Sequence, residues 1–225
     1  MYTKRIGTLC SLLEPAEVFA DVGCDHGYCT EYMLGNSLCK KAVFSDISKG
    51  SLAKAERLLA GYISSGRAIG VLGDGFCGLP RADEVLIAGM GGHEIVGILS
   101  HPLYGYLPEK FVFQPMHNAD CLRRYLVGAG AFLERDFTFR DGKFYDVVKG
   151  RRLKAGEAAQ AYTPEEYEFG RENLRERPAD FLERTRRRLA AVEEYLKEER
   201  LGEESRAQLL ERKKRLEGVL GDETE

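Results

Sequence analysis

Several features that define membrane proteins, zinc knuckles and thioredoxin-type sites are missing from this 225-residue sequence. It has no run of about 18 apolar residues, so no transmembrane helix is predicted. Residues 1–15 lack the apolar core of a signal peptide, and we therefore expect a cytoplasmic protein with no membrane partner. The six cysteines include no CxxC pair, which argues against a zinc knuckle and a thioredoxin-type redox site.

An excess of positive charge is also missing. The sequence has 33 Lys and Arg residues against 36 Asp and Glu residues, which gives a net charge of -3. A protein with this balance has no general electrostatic attraction to nucleic acid. Any RNA contact must therefore come from local basic clusters.

Short β-rich segments alternate with helical stretches between residue 17 and about residue 150, which is typical of a doubly wound parallel sheet. The Asp141-Gly142 pair between two β-rich segments predicts a hairpin. A parallel sheet that ends in an antiparallel hairpin favours the Rossmann-like class I methyltransferase fold, and S-adenosylmethionine (SAM) over NAD. The predicted strands are 18–23, 42–47, 68–72, 84–89, 110–115, 132–140 and 143–150.

The composition changes after residue 150, where Glu, Arg, Lys, Leu and Ala dominate. Apolar residues recur at helical spacing on both sides of Leu201-Gly202, which predicts a C-terminal α-helical hairpin or short coiled coil. The predicted α/β protein therefore has a methyltransferase domain at 1–155 and a helical hairpin at 160–221. Its first basic cluster (184–188) and second basic cluster (213–215) indicate either an ion-paired solvated face or contact with RNA phosphates.

The segment ADVGCDHGY (20–28) follows the first strand and opens a helix, where this type of fold places its nucleotide or SAM site. It does not contain the GxGxxG sequence of dinucleotide-binding proteins. Asp21 is expected to order the loop or to receive the methionine ammonium group. Gly23 allows the backbone to approach a ligand closely. The alternative is a structural turn between strand and helix.

Acidic residues also follow the second and third strands. Asp46 at the end of the second strand is expected to accept hydrogen bonds from ribose hydroxyls, because one carboxylate accepts two such bonds. It is alternatively a helix cap, a role that Ser48 fills at least as well. Asp74 and Gly75 are expected beside the adenine of SAM, unless they form an ordinary tight turn.

The fourth and fifth strands supply two further candidate segments. IAGMGG (87–92) places Met90 and Gly91 in a glycine-rich turn suited to passage beside a ligand. His93-Glu94 lacks a second histidine at HExxH spacing, so no metal site is predicted. Gln114-Pro115 is a loose version of the polar-proline segment that shapes the pocket of base-amino methyltransferases. Its alternative is a helix boundary with Asn118 as the cap.

These segments together resemble the bacterial tRNA (adenine(22)-N1)-methyltransferase family. The resemblance covers residues 1–150 closely, and the helical hairpin resembles that family's C-terminal coiled-coil domain. The combination of DHGY with AGMGG is far more specific than either segment alone. The matching segments are ADVGCDHGY, SDIS, GDG, IAGMGG, QPM and DGKFYDVV, in this order along the chain.

The resemblance implies methyl transfer from SAM to N1 of an adenine in the D-loop region of tRNA. It therefore also implies that tRNA is the macromolecular partner of this protein. N1 lies on the Watson–Crick edge, so the base must be extruded before it reacts. Tyr28, Phe76 or His117 is then available to stack on it.

Asp25 and Gln114 are the candidate catalytic residues. We expect the Asp25 carboxylate in a partly desolvated cleft, where it is costly unless it binds something. It is alternatively a cap for the helix that begins near Gly27.

Two other functions fit the same sequence. The first is a small-molecule methyltransferase whose coiled coil serves dimerisation. The second is a non-catalytic RNA-binding module that retains the fold. A salt-dependent complex with tRNA argues against the first, because phosphate contacts impose a steep salt dependence on binding. SAM binding without methyl transfer supports the second.

Overall fold

Seven strands form one mixed sheet in the order β3-β2-β1-β4-β5-β7-β6. Strands β1 to β5 run parallel to one another, while β7 runs antiparallel to both β5 and β6. The computed structural model describes residues 2–198 and 201–221. All seven predicted strands and the hairpin are confirmed, as is the α/β fold class. The strands are β1 (Ala16–Val22), β2 (Cys39–Asp46), β3 (Ala68–Leu72), β4 (Glu84–Met90), β5 (Lys110–Pro115), β6 (Ala131–Asp141) and β7 (Lys143–Arg152).

Along the chain, helices precede the first strand, separate several strands and follow the last strand. Helix α1 precedes every element that the sequence pattern predicts, and the Thr3 hydroxyl caps it by accepting the Ile6 N–H at 3.2 Å. Within residues 2–198 and 201–221, no helix has the length and hydropathy needed to cross a membrane. The helices are α1 (Lys4–Leu12), α2 (Tyr28–Gly35), α3 (Lys49–Leu58), α4 (Ala60–Ser64), α5 (Gly92–Leu99), α6 (Ala119–Gly128), α7 (Pro164–Phe169), α8 (Arg171–Glu176), α9 (Ala179–Leu196) and α10 (Glu203–Leu220).

Apolar side chains cover both faces of the sheet. Phe44 and Leu86 belong to one buried cluster, while Ile87 and Phe113 belong to a second cluster. Successive residues of a strand point to opposite faces, so the adjacent residues Leu86 and Ile87 mark the two sides. Burial on both faces explains why the sequences of the central strands are nearly continuous apolar segments.

The strand order reverses between β1 and β4, since β2 and β3 lie on one side of β1 and β4 and β5 on the other. In open α/β sheets, ligands bind outside the carboxyl ends of the strands at such a reversal. The ends of β1, β2 and β4 carry Asp21, Asp46 and Met90, respectively. The topology therefore collects three predicted cofactor-binding residues at one edge.

The chain divides into two compact units, and the second begins at Glu172. The first unit thus extends past residue 155, where the predicted methyltransferase domain ends. The buried Arg123 side chain explains this extension, because it donates to the carbonyls of Tyr167 and Glu168 in α7. The predicted domain limits of 155 and 160 remain a prediction.

The second unit contains the helical pair that the sequence predicts. Helix α9 ends at Leu196 and α10 begins at Glu203, on either side of Leu201-Gly202. Lys213 of α10 pairs with Glu193 of α9 at 2.9 Å. Phe181, Val192, Leu216 and Leu220 are buried, as their helical spacing indicates.

Candidate active site

A cavity of about 960 Å³ opens at the carboxyl ends of β1, β2 and β4. This volume is typical of sites that hold small molecules or cofactors. Six of the seven predicted cofactor-binding residues line the cavity, namely Asp21, Gly23, Asp46, Asp74, Gly75 and Met90. The ionisable residues of the lining are Asp21, Asp25, Asp46, Asp74, Glu94, Arg5, His26 and His101, together with tyrosine and cysteine side chains.

Gly23 makes the first turn of the cavity wall. Its φ is +75°, and an added Cβ would lie 2.3 Å from Cε of Met90. The N–H groups of Gly23 and Cys24 both donate to the carbonyl oxygen of Ser45, at 2.8 and 2.9 Å. The loop after β1 is therefore fixed to the end of β2, and a side chain at position 23 would strain the backbone.

Asp46 joins the loops that follow β1 and β2. Its Oδ2 accepts the backbone N–H of Asp25 at 3.1 Å, and its Oδ1 accepts that of Ser48 at 2.8 Å. The side chain of Ser48 caps α3 by accepting the N–H of Ser51. Asp46 is therefore not the side-chain cap of α3, and its half-buried carboxylate lines the cavity.

Asp21 is the buried carboxyl group of the site. Its Oδ2 accepts the hydroxyl hydrogen of Thr30 at 2.9 Å, and only 5% of the residue is exposed. Burial raises the pKa of Asp21 to about 6, and the charge of Asp46 adds to the rise while Thr30 opposes it. Asp21 thus orders the start of α2, and its carboxyl has a higher pKa than that of an exposed aspartate.

Asp25 is more exposed than the sequence suggests. Its side chain is 66% exposed, so the expectation of a partly desolvated carboxylate is wrong. The capping alternative is also wrong, because Gly27 occupies the N-cap position of α2 with φ +74° and no side-chain cap bond is formed. The backbone of Asp25 adopts φ +46°, in the left-handed region. Its carboxylate is therefore accessible to a large substrate at the cavity.

Asp74 and Gly75 follow β3 and line the same cavity. Asp74 is exposed, and its carbonyl accepts the N–H of Cys77 at 3.0 Å, so the segment also forms the expected tight turn. Gly75 has φ +56°, and an added Cβ would approach Ile98 of α5 to 3.0 Å. The turn brings the Asp74 carboxylate to the cavity without a bulky side chain beside it.

The glycine-rich turn after β4 divides into two parts. Met90 lines the cavity, whereas Gly91 is the N-cap of α5 and lies outside the lining. The N–H of Gly91 donates to a Glu94 carboxylate oxygen at 2.5 Å, and an added Cβ at Gly92 would lie 2.0 Å from the carbonyl oxygen of Asn118. Gly91 and Gly92 therefore allow α5 and the end of β5 to pack closely.

Gln114 is completely buried and lies behind the cavity lining. Its Oε1 accepts the Nε hydrogen of Arg5 at 2.8 Å, and its Nε2 donates to the carbonyl of Pro115 at 3.0 Å. Asn118 occupies the N-cap position of α6, although its side chain makes no cap bond. Gln114 thus holds Arg5, a lining residue that the sequence pattern does not identify.

Aromatic side chains lie at the cavity and behind it. Tyr28 is 42% exposed, and its ring stacks on that of His26 with centroids 5.4 Å apart. Phe76 lines the cavity but is 4% exposed and packs against Tyr106. The His117 ring lies against Gly91 and outside the lining. Of the three predicted stacking residues, only Tyr28 combines exposure with a place in the lining.

Both basic clusters of the helical hairpin contain ion pairs. Lys213 pairs with Glu193, and Arg187 and Arg215 each pair with a glutamate one helical turn away, at 2.5 and 2.7 Å. These pairs favour the interpretation of a solvated, ion-paired face. Contact between the clusters and RNA phosphates remains a prediction. In the described ranges of the chain, no group of His, Cys, Asp or Glu side chains is arranged to hold a metal ion.

Comparison with known proteins relates this site to methyl transfer. A family described as a methyltransferase domain matches residues 2–148. A Mycoplasma pneumoniae protein is 33% identical over 129 residues, which are 55% of this chain and 58% of that relative. The Bacillus subtilis tRNA (adenine(22)-N(1))-methyltransferase is 30% identical over 166 residues, which are 71% of this chain and 68% of that enzyme.

Solved structures give the same fold. A Streptococcus pneumoniae protein in complex with S-adenosyl-L-methionine superposes with a TM-score of 0.84. The match covers 98% of this chain and 100% of that one, at 21% sequence identity. The likeness extends over the sheet and the C-terminal helices, since nearly the whole chain is covered.

Proposed function

This chain belongs to the methyltransferase-domain family and, within it, to the bacterial tRNA (adenine(22)-N1)-methyltransferases, and on that premise we propose that its cavity binds SAM beside an extruded adenine of tRNA. The product is 1-methyladenosine. When bound, SAM supplies a methyl group on a positively charged sulfur. The residues of the chain bind and orient the reactants, and a well-held near-attack geometry contributes up to ~7–11 kcal/mol to catalysis.

The ends of β1, β2 and β3 suit the parts of SAM. Gly23 has a φ of +75°, and an added Cβ would lie 2.3 Å from Cε of Met90, so the turn at the start of the cavity requires a residue without a side chain. Asp46 and Asp74 both line the cavity, and we assign the carboxylate of Asp46 to the ribose hydroxyls and that of Asp74 to the adenine amino group. Asp21 supplies a buried negative charge for the methionine ammonium. These roles are proposals that the cavity lining supports.

Asp25 is the proposed catalytic carboxylate. Positive charge develops on the adenine ring as N1 gains a methyl group, which makes the exocyclic N–H more acidic. A carboxylate near that N–H stabilises the charge or accepts the proton. Asp25 lines the cavity, and its neighbour Tyr28 presents an exposed ring on which a base stacks. Gln114 acts behind them through Arg5 and is a positioning residue.

The proposed macromolecular partner is tRNA, encountered in the cytoplasm. Extruding a stacked base costs a few kcal/mol, which phosphate and stacking contacts must offset. The hairpin of α9 and α10 and its basic clusters are proposed to engage the tRNA backbone. Binding is therefore expected to weaken as salt concentration rises.

One observation carries the proposal more than any other. The backbone N–H of Asp25 donates to the carboxylate of Asp46, so the loop that carries the proposed catalytic residue is fixed beside the proposed ribose-binding residue. We would incubate the protein with methyl-labelled SAM and total tRNA, then measure label in RNA and in small molecules. Label in tRNA is expected. Label confined to small molecules would favour a small-molecule methyltransferase, and SAM binding without any transfer would indicate a non-catalytic module.

A further inference from the structure

Arg5 is a cation in the cavity lining that the proposed mechanism leaves without a partner of opposite charge. Helix α1 presents it, and the backbone N–H of Arg5 donates to Oδ2 of Asp141 at 2.8 Å. Asp141 is the last residue of β6, at the tip of the β6–β7 hairpin. The start of α1 is therefore fixed to the sheet, and Arg5 is placed by tertiary contacts.

The guanidinium group is held by neutral groups. Its Nε donates to Oε1 of the buried Gln114 at 2.8 Å, and its Cζ lies 5.4 Å from the centre of the Tyr145 ring. A guanidinium has five N–H donors, and this bond uses only the one on Nε. Among the described residues, the side-chain hydrogen-bond acceptor of Arg5 is thus an amide and not a carboxylate.

Gly89 shows which way the remaining donors lie. Its φ is +85° at an irregularity in the pairing of β4 with β5, and an added Cβ would lie 3.0 Å from Nη2 of Arg5. Gly89 and Arg5 both line the cavity. Nη2 of Arg5 therefore lies at the carboxyl end of β4, close to the space that a side chain at position 89 would occupy.

A half-buried cation with a neutral partner favours an anion in the adjoining space, because a charge removed from water is stabilised by an opposite charge. We propose that Arg5 binds an anionic oxygen group of the molecules that fill the cavity. Two sources have this chemistry, a backbone phosphate of the target nucleotide and the carboxylate of SAM. The inference rests on the proposed function, since both sources belong to that reaction.

Three variants test the proposal. Arg5→Gln removes the charge, and Arg5→Lys keeps the charge without the planar fork that matches phosphate and carboxylate. Lys4→Gln is the matched control, because it removes one positive charge from an exposed residue of α1 outside the cavity lining. For each variant we would measure the KM for tRNA and the Kd values for SAM and 5′-methylthioadenosine, which lacks the amino-acid part of SAM. Thermal unfolding would check that each variant is folded.

The phosphate source predicts that Arg5→Gln raises the KM for tRNA at least about tenfold and leaves the Kd for SAM within about twofold. The carboxylate source predicts at least a tenfold weaker Kd for SAM, with unchanged binding of methylthioadenosine. Lys4→Gln should change none of these values beyond about twofold, and Arg5→Lys should lie between wild type and Arg5→Gln.

The proposal is overturned if Arg5→Gln changes neither KM nor Kd beyond the control, or if it weakens SAM and methylthioadenosine equally. If Arg5→Gln does not fold, the same comparison is made with Arg5→Lys. A wild-type protein that transfers no methyl group to tRNA would contradict the proposed function instead. The two ligand-binding measurements would still decide whether Arg5 recognises the carboxylate.

Discussion

The backbone N–H of Asp25 donates to Oδ2 of Asp46 across 3.1 Å, although the two residues are 21 positions apart in the sequence. The other carboxylate oxygen of Asp46 accepts the N–H of Ser48. One side chain thus ties the loop after β1 to the loop after β2. Changes at Asp46 and at Asp25 should consequently have different effects, since Asp46 organises the cavity while the Asp25 carboxylate is exposed at the cavity, 3.9 Å from Nε2 of His26.

Asp46→Ala is expected to weaken SAM binding at least about tenfold, because it removes an acceptor for ribose hydroxyls and both loop bonds. Titration calorimetry measures the effect. Glu17→Ala is the control, since it removes an exposed carboxylate at the opposite end of β1, where Glu17 pairs with Lys40. SAM affinity equal to wild type in Asp46→Ala would show that the assignment of the β2 end is wrong.

Asp25→Asn should lower the single-turnover methylation rate by ~10²-fold or more, as expected for the loss of a general base. Asparagine tolerates the left-handed backbone of this position and retains the N–H that bonds Asp46. The fold and the SAM affinity should therefore be unchanged, which calorimetry and thermal unfolding check. A near-normal rate in Asp25→Asn would remove Asp25 from the catalytic role.

SAM affinity should rise as pH increases through about 6, the pKa to which burial raises the Asp21 carboxyl. Above that pH Asp21 is negatively charged and attracts the methionine ammonium, whereas below it the carboxyl is neutral. Thr30→Val removes the hydrogen bond that opposes the rise, so it should move the transition to higher pH. Asp21→Asn should remove this transition. A pH profile of Kd that is the same in wild type and Asp21→Asn would contradict the assignment.

Glu84 is expected to make the protein less stable as pH rises. Burial raises its pKa to about 7, and Lys110, 3.9 Å away, only partly offsets this. A carboxyl whose folded pKa is raised stabilises the fold below its unfolded pKa, and this contribution is lost as pH rises through about 7. Glu84→Gln should therefore increase the free energy of unfolding at about pH 8 by ~1–3 kcal/mol.

Denaturant unfolding at about pH 4 and pH 8 measures this effect. The advantage of Glu84→Gln should be much smaller at the lower pH, where the wild-type carboxyl is neutral. Lys110 retains the carbonyl of Pro15 and the nearby Glu14 in the variant. A variant that is equally or less stable than wild type at pH 8 would show that Glu84 is not a buried charge.

A truncated protein should fold stably if it retains the whole first compact unit, which ends at Arg171. A fragment of residues 1–171 is expected to fold and to bind SAM while losing most tRNA affinity. A fragment that ends at Arg151 keeps the ion pair between Arg123 and Asp136 but loses the carbonyl acceptors of Tyr167 and Glu168. It should melt at a lower temperature, because a buried donor left without its acceptor costs ~1–3 kcal/mol. Binding experiments with tRNA measure the affinity. Unchanged affinity of fragment 1–171 would assign the helical hairpin a structural role.

Local patterns were sufficient to predict most of the first unit. Strand periods, the Asp141-Gly142 turn and acidic residues at strand ends act over a few positions, and the cavity collects the residues that they indicated. Asp46 could be placed in the cavity for this reason. Its hydrogen bond to Asp25 could not be predicted, because it depends on how two loops approach each other.

Contacts between distant positions account for what the sequence pattern missed. Arg5 meets Gln114 across 109 positions, so neither its place in the lining nor the burial of Gln114 follows from a local motif. Arg123 likewise binds carbonyls 44 and 45 positions away, which moves the end of the first unit beyond the change in composition. The exposure of Asp25 depends on the left-handed turn between Gly23 and Gly27, whose shape the residue types permit but do not fix.

Nucleoside analysis of tRNA after incubation with the protein and labelled SAM tests the central claim most directly. After complete digestion, chromatography with mass spectrometry separates 1-methyladenosine from its isomer N6-methyladenosine. We expect the label in 1-methyladenosine with the wild-type protein and at least about 10²-fold more slowly with Asp25→Asn. Label in N6-methyladenosine or in another nucleoside, or no labelled nucleoside despite bound SAM, would contradict methyl transfer to N1 of adenine.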